Sequence, residues 1–259
     1  MTHFHVVIPA RHASTRLPGK PLLPIAGKPM VIRVAEQAAR SGAQQIWIAT
    51  DHHAIANVVH EHGFKACLTK ESHTSGTDRI AEVVEQQGWP DDTIVVNVQG
   101  DEPLIPPELI RAVAEHLHNH PECSIATACH AIHDEAAMRN PNIVKVVLDK
   151  NGNALYFSRA SIPWPRDAYA QQKPMPAELP VLRHIGIYAY RASFLRAFGQ
   201  LAPAAIEQFE ALEQLRALYH GYKIGVFLAT EAPPAGVDTE QDLHVARQIF
   251  EASNRENKS

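Results

Sequence analysis

Cysteine is scarce in this chain of 259 residues, with Cys67, Cys123 and Cys129 the only three. No Cys-x-x-Cys pair occurs. A disulfide framework and a thiolate zinc site are therefore not expected, and the odd count fits a reducing cytoplasm. A basic excess is also missing. Lys and Arg number 24 against 28 Asp and Glu, a formal charge of −4. That balance argues against a protein that binds nucleic acid or another polyanion, although local basic clusters remain open. No apolar run is long enough to span a bilayer. The opening Met1-Thr-His-Phe-His-Val-Val-Ile-Pro lacks the charged and apolar regions of a signal peptide, so no cleaved leader is expected. What is present, 45% hydrophobic and 20% charged residues, reads as a soluble globular chain able to bury a full core.

Histidine is plentiful at 16 residues, so metal binding has to be weighed. His116, His118 and His120 alternate at a helix end and are expected to point different ways. His52-His53 and His60-Glu61-His62 match no dependable ligand spacing, and His-Glu-x-x-His is absent. The surface reading is favoured for all of them.

Hydrophobic periodicity alternates strand with helix through about residue 120. Strands are expected at 4–9, 45–50, 65–68 and 93–98. Helices are expected at 29–40 with Pro29 in the first turn, then at 52–62, 77–87 and 107–117. This is the pattern of an α/β chain with a mostly parallel sheet. Strand-like runs then follow at 123–129, 143–149, 184–190 and 222–229. Asn151-Gly152-Asn153 marks a hairpin turn. Residues 158–180, rich in proline and polar groups, read as a long irregular loop. One helix is expected at 206–219, with Ile206, Phe209, Leu212 and Leu215 facing inward. A closing helix is expected at 239–250. No linker separates two domains, and the second half reads as an insertion that shares the sheet of the first.

Three segments fall at the carboxyl ends of expected strands, where open α/β sheets bind ligands. The first, residues 9–20, places Arg11, Arg16 and Lys20 with Ser14 and Thr15 in one loop after the first strand, a set suited to a phosphate chain. Neither a P-loop nor any Gly-x-Gly occurs, which excludes the dinucleotide fingerprint. The second is Gln99-Gly100-Asp101-Glu102-Pro103. A carboxylate there either holds Mg²⁺ or caps a turn. The third is Gly236-Val-Asp238-Thr-Glu-Gln-Asp242. Thr239 with Asp242 fits a capping box, which leaves Asp238 as a candidate second metal carboxylate. Two carboxylates, Mg²⁺ and a basic loop together suggest nucleotidyl transfer.

The segment Ala10-Arg-x-x-Ser14-x-Arg16-Leu-Pro-Gly-Lys20-Pro-Leu is similar to the opening signature of sugar cytidylyltransferases. Ser75-Gly76-Thr77-Asp78-Arg79, Asn97-Val-Gln99-Gly-Asp101-Glu-Pro, Tyr156-Phe-Ser-Arg159-Ala-x-Ile-Pro, Arg183-His184-Ile-Gly-Ile-Tyr188 and Leu212-Glu-Gln-Leu-Arg216 extend the likeness. Taken in this order, from about residue 4 to about 248, they resemble the family that activates 3-deoxy-manno-octulosonate (Kdo). The resemblance implies a nucleotide-diphospho-sugar transferase-like fold, with a single mixed, mostly parallel sheet flanked by helices and a smaller β-rich insertion. It implies one domain over 1–259, its nucleotide-binding part at about 1–122 and 222–252 and its sugar-binding and dimerisation part at about 123–221. It implies the reaction CTP + Kdo → CMP-Kdo + diphosphate, with Mg²⁺, in a cytoplasmic homodimer that supplies lipopolysaccharide synthesis in a Gram-negative bacterium. His12, where the family often has an aromatic residue, and Glu240-Gln241, where Pro-Glu is common, are small departures.

Carried over residue by residue, the resemblance gives Arg11, Lys20 and Asp101 to catalysis. Arg11, Ser14, Arg16, Lys20, Ser75, Gly76, Thr77 and Arg79 fall to the nucleotide, and Asp101 and Asp238 to the metal. Arg159 and Gln99 are the candidates for the sugar carboxylate, and His184, Tyr188, Glu210 and Glu213 for its hydroxyls. For these last four the residues alone allow a plainer reading, as strand core or solvated helix face. The rival functions are a cytidylyltransferase for another acidic sugar and a CTP-binding sensor without turnover. A glycosyltransferase of similar topology would usually carry Asp-x-Asp, and none occurs.

Overall fold

A computed structural model describes residues 2–13, 17–73 and 75–256, the side chains of 253–256 excepted. Residues Phe4-His-Val-Val-Ile-Pro-Ala10 form β1, and their apolar side chains are buried on both faces. That is the condition for a central strand in a sheet covered by helices. After β1 come the short β2 (Pro24–Ile25) and β3 (Lys28–Pro29), then α1 (Met30–Arg40), β4 (Gln45–Thr50), α2 (His53–Glu61) and β5 (Lys65–Leu68). The half closes with α3 (Gly76–Gln87), β6 (Ile94–Asn97) and α4 (Pro107–Asn119). The second half contains β7 (Ile125–Ala131), α5 (Glu135–Arg139), β8 (Lys145–Leu148), β9 (Ala154–Ser158), α6 (Arg166–Ala170) and β10 (Leu182–Arg191). It ends with α7 (Ala192–Phe198), α8 (Ala205–Glu210), α9 (Gln214–Tyr219), β11 (Ile224–Leu228) and α10 (Glu240–Glu256).

The main sheet runs in the order β11-β7-β10-β6-β1-β4-β5. β10 is antiparallel to both of its neighbours, and the other pairs on this path are parallel. The sheet is therefore mixed and mostly parallel. β8 joins the start of β10, and β9 pairs with β8 across the hairpin anticipated at Asn151-Gly152-Asn153. Above one face Phe4, Val6 and Ile8 pack with Val31 and Val34 of α1 and with Ile110 and Val113 of α4. On the other face Val7 packs with Ile80 and Val83 of α3 and with Phe194 of α7. A separate cluster of Leu17, Ile25, Met30, Val237 and Leu243 seats α10 against the β2–β3 hairpin. That hairpin turns through Ala26 and Gly27, both at positive φ, as a two-residue turn of this hand requires.

The structure changes several local expectations. Pro29 caps α1 from outside rather than opening it. The 158–180 segment carries the five-residue α6 and is otherwise irregular. His116 and His120 do not diverge; their rings stack at 4.2 Å because positions four apart share a helix face. The β2–β3 hairpin, α5 and α7 were not anticipated from the sequence.

The expected helix at 206–219 is two helices. α8 ends at Ala211, whose φ of 51° is left-handed. The break turns the apolar stripe, so Leu212 and Leu215 stay in the core while Phe209 is 92% exposed and Ile206 lies at the surface. Two contacts hold the break. Arg216 pairs with Glu207 across it at 2.5 Å, and Arg159 donates to the carbonyls of Glu210 and Ala211. An L-residue in this backbone region is strained, and glycine is not. Ala211→Gly is therefore expected to stabilise the protein by about 0.5–1 kcal/mol. Thermal unfolding should show a Tm rise of about 2 °C, and an unchanged or lower Tm would mean that the break carries no strain.

Candidate functional site

The site starts where β1 ends. After Ala10 the chain passes through the exposed Arg11, is pinned again by the buried Leu17, and reaches Lys20 through Gly19 at φ 63°. Ser14, Thr15 and Arg16 lie outside the described residues. Lys20 is mostly buried, and its Nζ donates to Asp101 Oδ2 at 2.7 Å and to Asp238 Oδ1 at 3.1 Å. Two glycines make this convergence possible. A Cβ on Gly100 would lie 2.6 Å from the carbonyl oxygen of Pro9, so only glycine lets the loop after β6 lie against the end of β1. A Cβ on Gly236 would sit 3.3 Å from the carbonyl oxygen of Asp101. Beside it, Val237 N donates to that same oxygen at 2.8 Å. The capping box on α10 forms as expected, with Thr239 N donating to Asp242 at 2.8 Å and Asp242 N returning to Thr239 Oγ1 at 3.2 Å.

These residues border a cavity of about 460 Å³ that includes Arg11, Lys20, Gly76, Arg79, Gln99 and Asp101 in its lining. Gly76 opens α3, whose N-terminal amides add a partial positive charge there. Ser75 caps that helix, accepting from Asp78 N at 3.1 Å. Arg79 is 1% exposed, and its guanidinium donates to Asp51 Oδ2 at 2.9 Å and to Thr69 Oγ1.

A second cavity of about 200 Å³ adjoins the first, and Gly76 and Gln99 line both. Thr77, Asn97, Tyr188, Tyr190, Glu213 and Gln214 line it too. The antiparallel course of β10 places Tyr188 opposite Asn97 of β6. Tyr188 and Tyr190 fall on one face of the strand and stack at 5.7 Å. Glu213 accepts from the Thr77 hydroxyl. Burial pushes its carboxyl above the usual range, against the hydrogen bonds from Thr77 and Ser75 that favour the ionised form. Among the described residues, Asn97 Oδ1 and Gln214 Nε2 are buried without a hydrogen-bond partner. An acceptor and a donor left so are costly unless a bound molecule satisfies them.

Sequence reasoning expected Gln99, Tyr188 and Glu213 with the sugar, gave Thr77 to the nucleotide although it lines this cavity, and passed over Asn97, Tyr190 and Gln214. Asn97 and Gln214 were in plain sight, inside the Asn-Val-Gln and Leu-Glu-Gln-Leu-Arg runs. Arg159 and Glu210 do not join either lining. Arg159 spends its guanidinium on the carbonyls of Pro141, Glu210 and Ala211, while Glu210 accepts from Ser158 Oγ at 2.6 Å and Arg159 N at 2.9 Å. The pair fastens α8 to the end of β9. His184 stands behind the wall. Its Nε2 meets Thr127 Oγ1 at 3.0 Å, and its ring lies edge-on to Phe157.

A mixed, mostly parallel sheet with a cationic cavity and a polar, aromatic cavity meeting at its carboxyl edge defines a nucleotide-diphospho-sugar transferase-like α/β protein. The cytidylyltransferase family model matches residues 5–224, and the chain belongs to that family. A solved structure described as CMP:2-keto-3-deoxy-manno-octonic acid synthetase complexed with CTP is 41% identical to it. The alignment covers 97% of this chain and 99% of that one, with a TM-score of 0.88.

Burial pushes the His184 imidazole down to about 3. The folded state therefore keeps it neutral where the unfolded chain protonates it. Its contribution to stability is complete above about pH 6.5 and is lost as pH falls toward the folded value. Between pH 4 and 6 the stability of a His184→Asn variant should fall with acidification less steeply than that of the parent, by about 1.4 kcal/mol per pH unit. Parallel slopes in urea titrations would show that His184 is not held neutral.

Proposed function

We propose that this protein transfers CMP from CTP to the anomeric hydroxyl of Kdo, giving CMP-Kdo and diphosphate. The observation that carries the reading is the meeting of the two cavities at Gly76 and Gln99. One holds the fixed cations and the helix terminus that a triphosphate needs. The other holds hydrogen-bonding groups suited to a hydroxylated sugar. A molecule seated in each would bring an α-phosphate and a hydroxyl together at their common border, and such a reaction asks mainly for positioning and charge stabilisation. The resemblance to a synthetase of known sugar, over nearly the full length of both chains, supports Kdo as the acceptor.

Arg11 and Lys20 bind the triphosphate in this reading and offset the charge that gathers on the leaving diphosphate, together with Arg16 and Ser14 of the same loop. Gly76 and Thr77 present the N-terminus of α3 to the nucleotide, Ser75 caps that terminus, and Arg79 sets the floor beneath it. Gln99, Tyr188 and Glu213 hold the sugar, joined by Asn97 and Gln214, whose unpartnered atoms a sugar hydroxyl or carboxylate would satisfy. Asp101 and Asp238 suit Mg²⁺. They are hard oxygen donors brought to one ammonium from distant parts of the chain. Among the described residues no group of three or more His, Cys, Asp or Glu side chains gathers as for an all-protein metal site, and Mg²⁺ commonly takes only one or two carboxylates beside substrate phosphates. When bound, the ion supplies positive charge to the phosphate oxygens.

We further propose a cytoplasmic homodimer that serves lipopolysaccharide synthesis, with residues 123–221 supplying the sugar and subunit contacts. Three buried free thiols fit a reducing compartment. The exposed Leu155, Phe209 and Tyr219 are apolar surface that a second subunit would cover. No helix among the described residues is long and apolar enough to cross a membrane.

The test is diphosphate release with CTP, Mg²⁺ and Kdo, run beside sialic acid and a no-sugar control. Release with Kdo alone is expected, and Asp101→Ala should lower kcat at least about 100-fold with Tm retained. CTP binding without release on any acidic sugar would replace this reading with that of a nucleotide sensor.

A further inference from the structure

The start of the phosphate loop is held from outside the cavity. Asp51 follows β4, is largely buried, and does not line either cavity described above. Its two oxygens are divided. Oδ1 accepts from the backbone N–H of His12 at 3.3 Å, and Oδ2 accepts from Arg79 Nη2 at 2.9 Å. One carboxylate thus joins the residue after Arg11 to the buried arginine of α3. The next residue adds a second hold. The His52 ring stacks on the His12 ring with centroids 4.0 Å apart and planes 15° from parallel. His52 is itself fixed, since its Nδ1 accepts from Ala54 N at 3.2 Å as the cap of α2 and its backbone N–H donates to Thr50 Oγ1 at 3.3 Å.

We propose that Asp51 and His52 are positioning residues that anchor the phosphate loop and thereby set the affinity for the nucleoside triphosphate. Neither touches the substrate. They act through His12 on the direction of Arg11, and Asp51 also acts through Arg79 on the wall below. The consequence is selective, because nothing in this anchor reaches the cavity assigned to the sugar. Loosening it weakens one substrate and not the other. The inference rests on the cytidylyltransferase reading given above.

Two substitutions separate the anchor from the fold. Asn retains the cap on α2, being among the best N-cap residues, but has no ring to stack. His52→Asn should therefore keep Tm while raising the KM for CTP about tenfold, since small displacements of a binding group are costly. The KM for Kdo should stay within about twofold, while kcat should fall as well, because Arg11 also offsets the charge on the leaving diphosphate. Asp51→Asn leaves one carbonyl oxygen for two donors and should show the same split. The double variant should do little more than either alone, as one anchor is being released. If Asp51→Asn fails to fold, His52→Asn decides the matter. Hydrogen exchange on the ligand-free protein reads the anchor without CTP, and the amide of His12 should exchange faster in both variants. An unchanged KM for CTP in His52→Asn, an equal rise for both substrates, or unchanged exchange overturns the proposal. A wild-type protein that does not bind CTP overturns the reaction instead, and the exchange result then judges the anchor on its own.

Discussion

The contact on which the site depends is the placement of Lys20 between Asp101 and Asp238. The three come from the loop after β1, the loop after β6 and the approach to α10, and no local rule draws them together. Two carboxylates this close repel, and a cation between them relieves it. Backbone geometry makes the meeting possible. Gly100 lets the second loop lie on Pro9, and Gly236 lets the third lie on Asp101. The apolar cluster of Leu17, Ile25, Met30, Val237 and Leu243 then clamps the ends of the first and third loops. Charge defines the site, while packing and two close backbone approaches hold it.

The neighbouring cavity follows a different principle. Its walls come from α3, β6, β10 and the break between α8 and α9, and among the described residues Asn97 Oδ1 and Gln214 Nε2 stand in it without a partner. Much of the polar chemistry of the second half serves to hold this wall rather than to meet a ligand. Lys145 is fully buried and donates to the carbonyls of Asn140, Ile143 and Arg159. Arg159 and Glu210 continue the framework to Ala211. The irregular stretches on either side of the β8–β9 hairpin are thus fixed by side chains acting on backbone, in place of regular ladders. A charged residue in a conspicuous motif can be mortar as readily as a ligand, and only its partners tell the two apart.

Most of the fold was legible from local pattern. Apolar runs of strand length alternating with amphipathic helices gave the sheet and its cover, because burial selects periodicity residue by residue. The capping box at Thr239 and Asp242 and the turn at Asn151-Gly152-Asn153 were legible for the same reason, being bonds among near neighbours. The break at Ala211 was not, since apolar spacing continued through it and the residue that turns there is not one that favours a left-handed backbone. The holds on that break come from Arg159 and from a cross-break ion pair, one distant in sequence and the other ordinary in appearance.

The kind of chemistry is written in the chain's local motifs: a basic loop in an acidic chain, carboxylates at strand ends, and the family likeness those motifs carry. Which side chains stand at the cavities and which are spent on the frame emerged only with the folded arrangement. Arg159 and Glu210 went to the frame, Asn97 and Gln214 came to the wall, and Asp51 took hold of the loop from behind. Identity and spacing along a chain fix which groups are available. Whether a donor faces a ligand or a carbonyl depends on long-range packing, and packing is settled by the whole chain at once.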